Sequence, residues 1–145
     1  MQEKVISCGI IIRNEIAEVL LCHVTGQSNF DFPKGVLDRN ESRIDCACRE
    51  LFEETGLIID KNKLVNLGEF DYLTTKTLHL FLIDVKKASI DMSKMNCTSF
   101  FIDNHGNEKP EVDYYEWVKC DSVRYYVNQK LQATIDNNAL LKFIR

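Results

Sequence analysis

One amphipathic segment, residues 42–56 (SRIDCACRELFEETG), constrains the fold of this chain more than any other. Its apolar residues recur at helical spacing, and Gly56 can cap the helix C-terminus because it lacks a Cβ. Ser42 followed by Asp45 is a capping signal at the other end. A helical wheel predicts one buried arc and one acidic arc. These are Ile44, Cys48, Leu51, Phe52 and Thr55 on the buried arc, and Arg43, Cys46, Glu50, Glu53 and Glu54 opposite.

Strand patterns surround this helix on both sides. Residues 4–13 and 17–24 are rich in Val and Ile and predict a β-hairpin turning at Arg13-Asn14-Glu15. Further strands are expected at 64–72, 77–85, 97–103 and 114–119, a helix start at Asp121, and a terminal amphipathic helix at 129–143 with Leu131, Ile135, Leu140 and Phe143 as its packing residues. This order predicts an α+β fold, a helix–sheet–helix sandwich with a mixed sheet, in one domain over residues 1–145.

The charge balance limits the partners. The 145 residues include 18 Lys and Arg against 22 Asp and Glu, so the net charge is −4 and no global positive field attracts nucleic acid or anionic membrane. We therefore expect no DNA partner and no membrane partner, while the oligomeric state is left open. Arg124, Lys130 and Lys142 are dispersed and form no basic patch for an RNA backbone.

The six cysteines do not form a metal-binding pattern. They are scattered without a C-x-x-C pair, and most lie inside apolar runs such as VISCGIII. This distribution favours small buried hydrophobic side chains in a reducing compartment. No basic leader or apolar run of about 20 residues is present, so we expect a cytoplasmic protein.

The acids are concentrated in one short stretch. Six of them lie within seventeen residues: Asp38, Glu41, Asp45, Glu50, Glu53 and Glu54. Glu50 and Glu54 are four residues apart on the predicted helix, and Glu53 is three after Glu50, so these carboxylates can converge. Such a cluster is self-repelling unless a cation joins it, and a hard divalent cation prefers oxygen ligands.

The spacing of residues around these acids is specific. The chain has Gly35, five residues, Glu41, seven residues and then RELFEETGL at 49–57. This resembles the Nudix box, G-x5-E-x7-R-E-U-x-E-E-x-G-U with U aliphatic, at every specified position. Chance agreement is on the order of 10⁻⁸ across the chain.

The resemblance implies an α/β/α sandwich and hydrolysis of a pyrophosphate linkage in a nucleotide substrate. Mg²⁺ would be the cofactor, with Mn²⁺ as an alternative ion. The family's metal ligands correspond to Glu50, Glu53 and Glu54, and Glu50 is also a candidate for the base that activates water. The Gly35 carbonyl would be an additional ligand.

Other positions acquire supporting roles from the same resemblance. Arg49 would orient the carboxylates through salt bridges, and Glu41 would brace the loop or join the metal ligands. The stretch KPEVDYYEWV resembles a segment of Nudix enzymes in which a Glu reaches the metal. Glu111 is therefore a candidate ligand or general base, with Glu108 as the fallback. Lys34, beside the glycine loop, would contact a phosphate oxygen as a point charge.

The flanking segments suggest the substrate class. FDFPKG and LGEFDY resemble segments of diadenosine tetraphosphate hydrolases, in which aromatic rings stack on adenine. Phe32, Tyr72 and Tyr114 are the corresponding stacking candidates. FDFPKG also resembles RNA-decapping Nudix enzymes, and the P-E-V-D segment resembles bacterial RNA 5′-pyrophosphohydrolases, so an RNA 5′ end is the alternative substrate. A non-catalytic nucleotide-binding module is the alternative of another class.

Overall fold

The computed structural model describes residues 4–145, and this part of the chain contains nine strands. They are β1 (Val5–Asn14), β2 (Glu18–Val24), β3 (Phe30–Asp31), β4 (Lys34–Val36), β5 (Val65–Leu73), β6 (Lys76–Val85), β7 (Phe100–Ile102), β8 (Glu108–Pro110) and β9 (Val112–Lys119). Seven form one sheet in the order β3-β2-β1-β6-β5, with β4 also paired to β1 and β9 to β2. The sheet is mixed because β1 and β6 run parallel from Val5↔Lys76 to Asn14↔Val85, whereas its other pairs are antiparallel.

The helices are α1 (Arg43–Thr55), α2 (Val123–Tyr126), α3 (Gln129–Asn137) and α4 (Leu141–Ile144). Helix α1 begins and ends as predicted, with the Ser42 side chain accepting from Asp45 N and Gly56 in the left-handed region at φ 77°. Short 3-10 turns lie at Lys61–Lys63, Lys87–Ser89, Met92–Lys94 and Cys120–Ser122. None of the helices within residues 4–145 is long and apolar enough to cross a membrane.

Alternation along β1 divides the core into two halves. Ile10 and Ile12 face α1, while Ile11 faces the C-terminal helices, since successive strand residues point to opposite sides of a sheet. Buried residues on the α1 side are Cys8, Ile10, Ile12, Leu20, Cys46, Ala47, Leu51, Phe81 and Ile83. On the opposite side, residues of α2, α3 and α4 pack against the sheet through Val123, Leu131, Ile135 and Ile144. The predicted α+β sandwich with a mixed sheet is confirmed.

Three predicted elements differ from the structure. The first two strands pair with each other only beside their turn, at Arg13↔Val19, because β4 occupies the same edge of β1 at residues 7–9. Strand β1 pairs along its length with β6, and β2 with β9. The strand expected at 97–103 is reduced to β7, which forms a separate two-stranded hairpin with β8. The terminal helix expected at 129–143 is interrupted after Asn137, where Ala139 adopts φ 51°.

The predicted buried arc of α1 is partly wrong. Phe52 is 47% exposed, whereas Cys46, assigned to the acidic arc, is fully buried. The reason is that β1 and β4 contact α1 on a flank that the wheel left to solvent. Phe143 is likewise 50% exposed, since the break between α3 and α4 changes the helical phase and buries Ile144 instead. All six cysteines are free thiols, five of them buried, as the composition predicted.

Candidate active site

Strand β4 brings Gly35 directly against the acidic flank of α1. Cys8 of β1 pairs with Gly35, and this pairing fixes the strand beneath the helix. A Cβ added to Gly35 would lie 2.0 Å from the carboxyl carbon of Glu50, a distance at which atoms overlap. Only glycine therefore allows the Glu50 carboxylate to approach the backbone of β4 this closely.

Hydrogen bonds from Arg49 connect three of the acids. Its guanidinium donates to both carboxylate oxygens of Glu41, from Nε at 3.0 Å and from NH2 at 2.7 Å. The NH1 group donates to Glu50 Oε1 at 2.9 Å and lies 3.3 Å from both oxygens of Glu53. A planar guanidinium with several donors suits this arrangement, since it can hold several carboxylates at fixed angles. The contacts are those expected if Arg49 orients the acids.

Glu41 is an anchor for the loop that precedes α1. Besides the two bonds from Arg49, its Oε1 accepts from the backbone N–H of Asp38 at 3.0 Å. The hydrogen bonds from Arg49 lower the pKa of Glu41 to about 2, so this carboxylate is charged at any physiological pH. This geometry favours the bracing role predicted for Glu41 over a place among the metal ligands.

Glu50 and Glu54 are buried although both are acids. Their exposed fractions are 8% and 6%. Burial, followed by repulsion from Asp31 and Glu50, raises the pKa of Glu54 to about 9. Burial also raises the pKa of Glu50, although Arg49 opposes the shift. Each carboxylate is therefore destabilised in its charged form by its surroundings.

The donors at this position are suited to a hard divalent cation. Glu50, Glu53 and Glu54 provide carboxylate oxygens, and Gly35 provides a backbone carbonyl that accepts a long hydrogen bond, 3.6 Å, from the Cys46 thiol. Within residues 4–145, no three His, Cys, Asp or Glu side chains are arranged as a metal site. Arg49 instead bonds Glu50 and Glu53, so a cation would compete with this guanidinium.

A cavity of about 330 Å³ opens beside Glu54. Four charged residues line it, namely Asp31, Lys34, Glu54 and Glu111. The uncharged lining residues are Cys22, Val24, Thr25, Gln27, Phe101 and Val112. The structure thus brings Glu111, from the loop before β9, to the same cavity as a residue of α1. Glu108, the fallback, lies exposed on β8 and is not among the lining residues.

Lys34 is held at this cavity by its main chain and its side chain. Its backbone N–H donates to Glu54 Oε2 at 3.2 Å, and its Nζ lies 2.9 Å from Asp31 Oδ2. The same ammonium lies 5.4 Å from the centre of the Tyr72 ring, within the range of a cation–π contact. Tyr72 is therefore close to the phosphate-binding candidate, as expected for a residue that contacts substrate.

The stacking role predicted for Phe32 is wrong. Its side chain is fully buried in the core on the C-terminal helix side, so no base can reach the ring. The alternation of the FDFPKG segment explains this, because Asp31 and Phe32 point in opposite directions and only Asp31 lines the cavity. Tyr114 is 56% exposed and packs edge-on against Phe30, but it lies outside the cavity lining.

Asp31 and Thr25 are among the cavity residues that were missed from the sequence. Asp31 lies three residues before Lys34, and this spacing was a usable signal for an ion pair. Thr25 had no such signal, since Thr in a polar turn is common. Its backbone N–H donates to Glu111 O at 3.1 Å, and its hydroxyl is the one buried side-chain polar atom without a hydrogen-bond partner in the described part of the chain.

Comparison with protein families and curated relatives agrees with the motif. A family model described as "NUDIX domain" matches residues 3–141. An uncharacterised 17.7 kDa protein of Enterobacteria phage T4, from the e-segB intergenic region, is 30% identical over 94% of this chain and 99% of its own length. An RNA pyrophosphohydrolase of Shewanella denitrificans is 29% identical over 76% of this chain and 67% of that protein.

Solved structures show the same architecture. An Ap4A hydrolase from C. elegans superposes with a TM-score of 0.65 at 16% identity, covering 94% of this chain and 98% of that one. A MutT protein from Methanosarcina mazei gives a TM-score of 0.61 at 20% identity, covering 97% and 96%. At such low identity these two structures show a shared fold and nothing more specific.

Proposed function

The chain belongs to the NUDIX domain family, and from this premise we propose that it hydrolyses a phosphoanhydride bond in a dinucleoside polyphosphate, with Mg²⁺ as cofactor and Mn²⁺ as an alternative. Diadenosine tetraphosphate is the representative substrate. The proposed site consists of the acids of α1, Gly35, and the cavity that contains Lys34 and Glu111.

One observation carries the catalytic part of the proposal, the burial of Glu50 and Glu54 side by side. A buried carboxyl at 6% exposure with acidic neighbours is costly in its charged form unless a positive charge is bound nearby. Arg49 contacts Glu50 but makes no bond to Glu54. Cation binding would remove this cost and gives a physical reason for the arrangement.

Each part of the proposed site would have a separate role in hydrolysis. Bound Mg²⁺ would neutralise phosphate charge and make a water molecule more acidic. Glu50, oriented by Arg49, would accept the proton of the attacking water, with Glu111 as the alternative base. Lys34 would contact a phosphate oxygen, and its lining of the same cavity as Glu54 and Glu111 supports this role.

The charge of the cavity favours a small substrate over a polymer. Three of its four charged lining residues are acids, and the one base, Lys34, is paired with Asp31. An RNA chain needs a positive surface along its backbone, and the dispersed basic residues do not provide one. A dinucleotide polyphosphate needs only the cation site and a limited apolar contact, for which Tyr72 and Tyr114 are the candidates.

An RNA 5′ end is the second candidate substrate. It is favoured by the 29% identity over 116 residues to the Shewanella RNA pyrophosphohydrolase, which extends well beyond the box. A triphosphorylated 5′ end would present the same phosphoanhydride to the same acids. The alternative of a non-catalytic nucleotide-binding module is disfavoured because Arg49, Glu50, Glu53 and Glu54 are all present and in contact or adjacent.

A substrate panel tests the proposal. The purified protein with Mg²⁺ would be given diadenosine tetraphosphate, nucleoside triphosphates, 5′-triphosphorylated RNA, NADH and ADP-ribose in ¹⁸O-water, and the products weighed. We expect ATP and AMP from the dinucleotide, with the label in one product identifying the attacked phosphorus. Activity confined to RNA would reject the dinucleotide in favour of the second candidate, and no hydrolysis of any compound would reject the enzymatic function.

A further inference from the structure

Asp31 and Lys34 form an ion pair inside the cavity. The Lys34 Nζ and Asp31 Oδ2 atoms are 2.9 Å apart, and the side chains are only 18% and 19% exposed. The other carboxylate oxygen of Asp31 accepts from the backbone N–H of Phe32 at 2.8 Å. Because these bonds hold both ends of the carboxylate, Asp31 is fixed in place against the ammonium.

The pair neutralises Lys34, the one base among the described residues that line the cavity. Asp31, Glu54 and Glu111 are acids and Lys34 is the single base among the lining residues. Burial opposes the charge on Lys34, but the adjacent Asp31 carboxylate outweighs it and leaves the pKa of Lys34 raised. The ammonium therefore stays charged while its attraction for a second anion is largely cancelled.

A polyphosphate entering this cavity would meet a lysine that is already paired and a neighbouring acid. It would have to compete with Asp31 for Lys34 and would be repelled by Glu111. A divalent cation held by the carboxylates of α1 would reverse the balance, since it adds two positive charges at the same position. Polyphosphate binding should thus follow cation binding.

We propose that Asp31 is a positioning residue that makes polyphosphate binding conditional on a divalent cation, by holding and neutralising Lys34 until the cation is present. This inference rests on the proposed function in assigning the cavity to a polyphosphate. It concerns the order of binding and the charge of the cavity, and it does not depend on which nucleotide is attached to the phosphates. A purely structural ion pair would affect stability and leave the cation dependence unchanged.

The test measures binding of probes that cannot be hydrolysed, by titration calorimetry of the full chain in EDTA and in saturating Mg²⁺. Methylenediphosphonate represents any diphosphate, and a diadenosine tetraphosphate analogue with methylene groups in place of the anhydride oxygens represents the proposed substrate. The ratio of the dissociation constant in EDTA to that in Mg²⁺ reports the cation dependence. We expect Asp31→Asn to tighten methylenediphosphonate binding in EDTA on the order of tenfold and to reduce the ratio accordingly.

Two further variants distinguish the effect of breaking the Asp31–Lys34 pair from the effect of removing any one negative charge. Asp113→Asn removes an acid of β9 that pairs with His23 and does not line the cavity, so it should change the ratio less than about twofold. In the Lys34→Met background Asp31→Asn should lose most of its effect, since the freed ammonium is absent. If Asp31→Asn does not fold, Asp31→Ser, which keeps a side-chain acceptor for Phe32 N, takes its place.

The outcomes distinguish this inference from the proposed function. An unchanged ratio in the Asp31 variant, or an equal change in Asp113→Asn, would overturn it. Failure of methylenediphosphonate to bind the wild-type protein even in Mg²⁺ would also overturn it. If methylenediphosphonate behaves as expected and the dinucleotide analogue does not bind, the inference stands and the choice of substrate fails.

Discussion

The carboxyl carbon of Glu50 lies where the side chain of any residue other than glycine at position 35 would begin, only 2.0 Å from the Cβ position. The two residues are fifteen apart in the chain and belong to different elements, β4 and α1. The absence of a Cβ at Gly35 allows the Glu50 carboxylate to lie against β4, where it also accepts a hydrogen bond from Arg49. The first glycine of the box is thus required by the packing of Glu50 against β4.

Gly35→Ala should displace Glu50 and reduce activity more than tenfold. The added methyl group overlaps the carboxylate, and we expect the free energy of unfolding to fall by about 1–3 kcal/mol. Urea denaturation and steady-state kinetics would measure the two effects. Val36→Ala is the matched control, since its side chain is 50% exposed and should change neither quantity substantially. A Gly35→Ala enzyme with normal kcat would show that the close contact is unimportant.

Glu54→Gln should abolish turnover while leaving the fold intact. The amide keeps the size of the side chain but cannot supply the anionic oxygen required by a divalent cation, so we expect kcat to fall by at least about a hundredfold. Circular dichroism would verify the fold, and formation of ATP from diadenosine tetraphosphate would give the rate. Asp45→Asn, which removes an exposed acid of α1 paired with Lys61, should retain activity. Undiminished turnover in Glu54→Gln would reject the metal assignment.

The metal-free protein should lose stability as pH rises from about 5 to 9. Burial raises the pKa of Glu54 to about 9 in the folded state, above its ordinary value of 4.5. In this interval the native state binds more protons than the unfolded state, so each increase in pH favours unfolding. Over this interval the free energy of unfolding should fall by up to several kcal/mol.

Urea midpoints in EDTA at pH 6 and pH 9 would measure this loss. Added Mg²⁺ should restore part of the stability at pH 9, because it stabilises the charged carboxylate. In Glu54→Gln most of the difference between the urea midpoints at pH 6 and pH 9 should disappear. A wild-type midpoint that is constant or rises over the interval would contradict the raised pKa.

Phe32 and Tyr72 should respond differently to substitution. Phe32→Ala leaves a cavity in the core and should cost about 3–5 kcal/mol of unfolding free energy. Tyr72→Leu keeps the apolar bulk but removes the ring beside Lys34, so we expect KM to rise about three- to tenfold with little change in kcat. Thermal unfolding and initial-rate kinetics on both variants would compare them. Unchanged KM in Tyr72→Leu would exclude Tyr72 from the substrate site.

The amphipathic helix and its acids could be predicted because the evidence for them is local. Ser42 and Gly56 define the ends of α1 through their own backbone preferences, and the spacing of Arg49, Glu50 and Glu54 places them within one or two turns of each other. The alternation of β1 likewise predicts a strand wherever it lies in the sheet. These features follow from periods of 3.6 and 2 residues, which the sequence carries directly.

The long-range contacts could not be predicted in the same way. Local periodicity does not reveal that β1 pairs with β6 rather than with β2 along its length, nor that the flank of α1 bearing Cys46 lies against β4. The helical wheel misplaced Phe52 and Cys46 for this reason. A wheel orders residues by angle, but the angle that is buried depends on which strands cross the helix.

The sequence by itself determined the family, the fold class and the chemical types in the site, because each is encoded in motif spacing and local periodicity. Only the tertiary structure decided that Glu50 and Glu54 are buried, that Phe32 belongs to the core, and that Asp31 neutralises Lys34. The physical reason is that burial and ion pairing depend on distances between segments, and these distances exist only after the sheet and helices have packed.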